Sequence, residues 1–529
     1  MSRSVPSSLV KVCTRADLDA RKRLIFKHGR KQIVLFQTER GIYACNNRCP
    51  HEGYPLNVGT LSDGRVLTCN WHNWKFDLES GETLVGGDEL RRYSVTVRDG
   101  AVWLDLSDAP MEKRRAQALK NLREAFDDYE YDRIARELAR LQLAGADPLE
   151  GLKQAIGWSH DRLEFGMTHA QAAAPDWLNL GQRRAKGAAK QLVPVLEAVA
   201  HFAWDTLREP VYPYPRKVRT FDGPGLVAAI EAEDETGAVA FVRGALKEGL
   251  GFAELGPWLS RAALAHYQDF GHSIIYVYKT RQLAERLGPE LLEPLLLPLV
   301  RNLVYAQRED LIPEFKSYGA TLAAWDGRGS APARPEDFRG ASVTAALQRA
   351  RAASGDPAAL YQALLDALAW NFLHYDTAVQ ERTDNPVSRN IGWLDFTHGI
   401  TFANAVRAQC GRTPALWPQG LAQMACFAGR NAGFLDPEVD AAEWRVAEPL
   451  ALVDAALDRL FDHGEIEHIV ACHYLKTLTA AREEMRAAPQ ARWAPTLAAA
   501  LNRLLHSPLK RRHALRTAHQ ALSFVAQEG

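Results

Sequence analysis

The chain has 529 residues, with 64 Lys+Arg against 64 Asp+Glu and a hydrophobic fraction of 47%. Zero formal charge excludes a global field that would draw it to nucleic acid or anionic lipid, and the apolar content excludes wholesale disorder. The longest apolar stretch, 291–300, is broken by Glu293, Pro294 and Pro298, well short of the roughly 18 residues of a membrane span. With no apolar export segment at the start and 7 Cys in this length, the expectation is a cytoplasmic protein without membrane contact, whose thiols are reduced or bind metal.

In chain order, residues 1–108 read as β structure: runs at 32–36, 41–44, 65–68, 92–97 and 101–106 alternate with the turn pairs Asp63-Gly64, Ser80-Gly81 and Asp99-Gly100. From Met111 onward the spacing of Ala118, Leu119, Leu122, Ala125 and Phe126, then Ile134, Leu138 and Leu141, is helical. The fold class is therefore α+β multidomain, a small all-β domain (1–108) followed by a large all-α domain (112–529). An internal echo, Asp269-Phe-x-His272-x-Ile and Asp395-Phe-x-His398-x-Ile, suggests two related helical halves, 112–311 and 340–529.

In the β region, Cys49-Pro-His51 and Cys69-Asn-Trp-His72 are two Cys/His pairs suited to one metal site at two loop tips. Cys2His2 zinc ligation is chemically allowed, although zinc sites favour wider gaps than the single residue between Cys49 and His51. With Gly53, Pro55, Leu56, Gly59, Trp74, Phe76, Asp77 and Gly81 in order around them, the pairs resemble the Rieske family. That resemblance implies a [2Fe-2S] cluster with Cys49 and Cys69 on the buried iron and His51 and His72 on the outer one. Neutral imidazoles would set its potential within about −150 to +300 mV, making it a one-electron relay. Tyr54 and Trp71 stand where the respiratory branch carries two further Cys, so the sequence resembles the ferredoxin and oxygenase branch. It departs from that branch at Glu52, where Arg is usual, and at Asn73, where Gly is usual.

The helical region holds histidines beside acids at helical spacing: His160 with Glu164; His266, Asp269 and His272; Asp395 with His398; Glu465, His468 and His473. Carboxylate-x-x-His motifs on facing helices are how bundles hold di-iron centres, so these ten residues are candidate ligands for one or two non-haem irons. For any single histidine a hydrogen-bonded core role competes, but burying the whole group would be costly without a metal or a shared network. Glu465-x2-His468-x4-His473 is similar to the mononuclear-iron motif of Rieske ring-hydroxylating oxygenases, though it lies late in a helical region. Segments 159–170, 396–406 and 466–480 are distantly similar to the questin-oxidase-like family of helical oxygenases, which implies oxygen insertion into an aromatic or polyketide-like ketone. No Gly-x-Gly-x-x-Gly follows a strand, so electrons would come from a separate reductase or ferredoxin reductase, for which Lys113-Arg114-Arg115 or Lys510-Arg511-Arg512 could be docking points.

The sequence thus points to an oxidoreductase, monooxygenase-like, in which the cluster feeds single electrons to a metal site that activates oxygen on a small organic substrate. The contrasting expectation is an electron carrier with a metal-free helical scaffold.

Overall fold

The computed structural model describes residues 9–507 and 513–527. Lys510, Arg511 and Arg512 lie outside them, as does the side chain of Asp269. An all-β N-terminal domain is followed by a large helical region, as the sequence implies.

Three antiparallel sheets make up the β domain. The first has the order β1 (Leu9–Thr14), β11 (Ala101–Asp105), β10 (Val95–Arg98); the second β2 (Arg23–His28), β3 (Lys31–Thr38), β4 (Gly41–Asn46), β9 (Arg92–Tyr93). The third is a meander of four three-residue strands, β5 (Thr60–Ser62), β6 (Val66–Thr68), β7 (Lys75–Asp77) and β8 (Thr83–Val85). Asp63-Gly64 and Asp99-Gly100 both hold two consecutive positive φ angles, the left-handed pair that a two-residue hairpin turn needs. A short helix, α1 (Arg15–Arg21), starts at Thr14, whose side chain accepts from the Asp17 amide. Alternation along β3 divides its buried residues between two cores, one with Val34 and Phe36, the other with Ile33 and Leu35.

The boundary between compact units differs from the one expected near residue 110: the first unit runs to Pro148 and the second from Leu149 to Gly529. Helices α2 (Met111–Asp127) and α3 (Tyr131–Leu143) therefore belong with the strands. The cause is Asp88, fully buried on the β side, which accepts at 2.6 Å from both Arg136 and Arg140 of α3. A buried carboxylate needs such partners, and that helix supplies both.

At the heart of the second unit, four helices pack in a closed ring, each against the next: His169–Arg184, His272–Leu287, Trp393–Cys410 and His468–Ala487. Cross-contacts at successive levels show that all four run the same way. Lys279 meets Asp176, Arg286 meets Gln182, Tyr278 meets Glu483, and Arg407 meets Glu484. The long connections between them are themselves helical. The echo segments meet in this ring but differ locally: Asp395 to His398 lies within a helix, whereas Phe270 (φ 50°) kinks the chain just before His272. Among the described residues no helix is long and apolar enough to cross a membrane.

Candidate redox and metal centres

In the first unit, two loops of matching shape bring Cys49, His51, Cys69 and His72 together. The Cys49 amide donates to the Tyr54 carbonyl and the Gly53 amide to the Cys49 carbonyl; Cys69 with Trp74, and Asn73 with Cys69, repeat both bonds. Gly53 (φ 78°) and Asn73 (φ 60°) hold the same left-handed position in the two loops. Asn tolerates that conformation better than most side chains, so the departure from Gly at 73 leaves the loop shape intact. Both cysteines are buried in the core formed by Val34, Phe36, Leu56 and Phe76. Burial, with the neighbouring Cys69 sulfur, pushes the Cys49 thiol up to about 11; a bound metal reverses that cost by supplying positive charge to the thiolates. The His51 and His72 rings lie 4.8 Å apart, and His51 Nδ1 is buried with no hydrogen-bond partner among the described residues. Trp74 stacks on His51 at 4.5 Å and the exposed Trp71 on His72 at 4.6 Å, fixing both rings. A Cβ on Gly86 (φ 122°) would fall 2.3 Å from the Trp74 ring, so this stack requires glycine there. Two buried thiols and two ring nitrogens at adjoining loop tips fit the donor set of a [2Fe-2S] cluster held by Cys and His.

In the second unit, each helix of the ring contributes one buried or half-buried histidine to a common point: His169, His272, His398 and His473. Nitrogens of His169, His398 and His473 lie within 4.8 Å of one another, and His272 Nε2 is 3.0 Å from His398 Nε2. His398 Nδ1 bonds the Leu394 carbonyl and His473 Nδ1 the Ile469 carbonyl, each one turn back. A carbonyl only accepts, so both rings carry their proton on Nδ1 and offer a lone pair at Nε2. Nε2 of His169 and of His473 is buried with no hydrogen-bond partner among the described residues. Burial, together with the Lys476 charge and the neighbouring rings, holds His169, His398 and His473 well below their ordinary pKa, hence neutral. Converging neutral lone pairs in a buried site are a metal-ligating arrangement, with backbone carbonyls fixing the ring orientation. The 3.0 Å edge is that of two nitrogens at about 2.1 Å from one ion at a right angle.

His169 was not among the candidates because no acid stands three or four residues from it. The available signal was its position directly after Thr168, which caps the His169–Arg184 helix and whose hydroxyl bonds Asp205 at 2.5 Å. Several expected ligands are corrected. His266, Asp269 and His272 do not share a helical face, because the kink at Phe270 separates them. His266 bonds Asp310 through Nδ1 (3.0 Å) and Glu231 through Nε2 (2.9 Å), leaving no lone pair for a metal. Asp395 turns its carboxylate to the Gly392 amide (2.8 Å), capping its own helix. His160 bonds the Gly157 carbonyl, and Glu164 is exposed. Glu465 is exposed in a loop, while His468 lies 3.3 Å from buried Glu197. His463 approaches the same oxygen at 3.4 Å, but its Nδ1 accepts from the Glu465 amide, so its Nε2 carries the proton.

Comparison with known proteins bears on the first centre alone. The Rieske [2Fe-2S] domain family matches residues 8–89. The ferredoxin component of the naphthalene 1,2-dioxygenase system of Pseudomonas putida is 32% identical over 79 residues, 15% of this chain and 75% of its own. Human Apoptosis-inducing factor 3 is 30% identical over 106 residues, 20% of this chain, and this chain spans only 17% of that relative's length. A solved complex of reduced oxygenase and oxidized ferredoxin in carbazole 1,9a-dioxygenase aligns at 24% identity over 20% of this chain and 97% of that one, with a TM-score of 0.18. The motif, the paired loops, the family match and the naphthalene dioxygenase ferredoxin agree: through its N-terminal domain, which implies a [2Fe-2S] cluster, the chain belongs to the Rieske family.

Proposed function

We propose that the protein is an oxidoreductase whose Rieske cluster, held by Cys49, Cys69, His51 and His72, passes single electrons to a non-haem iron held by His169, His272, His398 and His473 for oxygen activation on a small organic substrate. The observation that carries this reading is the convergence of four imidazoles, one from each helix of the ring, with the Nε2 lone pairs of His398 and His473 set by their Nδ1 bonds to backbone carbonyls. Imidazole donors suit iron, as well as copper and zinc; the Rieske partner favours the redox-active choice. An iron there would supply Lewis acidity and one-electron chemistry.

The chain's own residues do the rest. Leu394 and Ile469 carbonyls orient two of the rings, Thr168 and Asp205 anchor the helix start that carries His169, and the packed ring of helices excludes bulk water. Inserting one oxygen atom into an organic substrate and releasing the other as water takes two electrons and two protons. The cluster must therefore cycle twice per turnover, drawing on an external reductase. Oxygenase systems among the relatives are named with such ferredoxin components, which supports the electron-relay half of the reading.

Iron counting tests it. Two irons from the cluster and one from the histidine ring give three per chain, and His398→Ala and His473→Ala should each return two with the cluster spectrum unchanged. A wild-type chain with only two irons, and no other redox metal, would establish the carrier reading instead.

A further inference from the structure

Resting on the proposed four-histidine centre, a second feature of the ring concerns what that centre binds. The four helices point their N-termini toward the histidine level: His169 and His272 are the first residues of theirs, and His398 and His473 each lie in the second turn. Each terminus carries about half a positive charge from its aligned peptide dipoles, and here four such ends face one place. Lys476, one turn beyond His473 on the same helix, is 1% exposed, and its Nζ has no hydrogen-bond partner among the described residues. It stands three residues after His473 on the same helix, and it is among the groups that lower the pKa of His169, His398 and His473. Asp176 is an acid that acts on Lys476; one of its oxygens accepts from Lys279 at 2.7 Å, and the other is buried with no hydrogen-bond partner among the described residues. A fully buried amine with nothing to bond is costly unless a ligand completes it.

We propose that the open side of the four-histidine centre binds a ligand with an anionic donor atom, and that Lys476 donates a hydrogen bond to that ligand. Imidazole is a neutral donor type, so the ring leaves the charge of a bound cation uncompensated, and the helix termini add to the positive potential. A neutral ligand would gain little from this surrounding. An anion would gain from all of it, whether an enolate or phenolate oxygen of the organic substrate or a small anion derived from oxygen.

Azide and acetylacetonate are the probes, with imidazole as the neutral comparator, titrated into the full iron-loaded chain by calorimetry. Lys476→Met should weaken azide by about tenfold to a hundredfold, the size of a hydrogen bond to a charged group, while imidazole affinity and iron content stay unchanged. Lys476→Arg should retain most of the azide affinity. Loss confined to azide assigns the pocket to small anions, and loss for both anions admits an organic enolate. The thermal midpoint of Lys476→Met should rise, since an unsatisfied buried amine is removed. Unchanged azide affinity with iron retained overturns this inference and leaves the metal centre standing. If Lys476→Met loses the iron, Lys476→Gln carries the same comparison, and equal weakening of azide and imidazole in it overturns the inference. A wild-type chain with no metal beyond the cluster overturns both readings.

Discussion

His266 sits between two carboxylates, and this decides both its charge and its contribution to stability. The hydrogen bond to Asp310 is the largest influence; burial works against it and the bond to Glu231 reinforces it, so the pKa is raised. A raised histidine pKa stabilises the fold fully below the unfolded value near 6.5, and that stabilisation fades as pH rises through the folded value. His266→Gln should therefore cost about 1–3 kcal/mol at pH 5.5, with the gap to wild type narrowing in denaturant titrations above neutral pH. Asp88 has the opposite sign. Burial pulls its pKa up, but the hydrogen bonds and charges of Arg136 and Arg140 outweigh it and hold the carboxyl below its ordinary value. Its contribution is present above pH 4 and is lost as pH falls through the depressed folded value. Because both arginines are about one-third exposed, Asp88→Asn should cost about 1–3 kcal/mol at pH 7, below the range of fully buried pairs. Urea unfolding at pH 7 measures it.

At the scale of elements, the approach of His272 to His398 depends on how two helices begin. Gly271 has φ 73°, and a Cβ there would fall 2.1 Å from the Phe402 ring on the Trp393–Cys410 helix. Gly271→Ala combines left-handed strain with a clash against a buried aromatic ring, so it should destabilise by about 1–3 kcal/mol. It should also reduce metal bound at the histidine ring while leaving the cluster spectrum intact; metal analysis beside thermal unfolding separates the two effects. The Asp-Phe-x-His echo in the sequence identified the two segments that meet, yet Asp395 does not explain the meeting. Asp395 caps a helix, and the chain around Asp269 is kinked. The two histidines meet at 3.0 Å, whereas the Asp395 carboxylate turns back to its own helix start. Among the strands, the runs with strong alternation and Asp-Gly turns were legible, whereas β5, β7 and β8 are three residues each and too short to show a period.

For the whole molecule, function depends on whether electrons leaving the first unit are consumed in the second. When the chemically reduced protein is mixed with air, the cluster should reoxidise at least about tenfold more slowly in His473→Ala than in wild type, as expected if an oxygen-reactive metal is the electron outlet. Equal rates in stopped-flow absorbance would separate the cluster's oxidation from the histidine ring. The Rieske motif was readable because its loops are local: each Cys/His pair lies within four residues, and the backbone bonds that shape each loop join residues four and five apart. The joining of α2 and α3 to the β unit was not readable, since Asp88 and Arg136 are far apart in the chain and no periodicity links them. The sequence by itself determined the all-β then all-helical order, the Rieske motif and the wealth of histidines on apolar helices. Only the tertiary structure decided which histidines converge, adding His169 and dismissing His160 and His266, because ligation depends on where ring nitrogens point after four separate helices have packed, and residue spacing along any one helix carries no information about the other three.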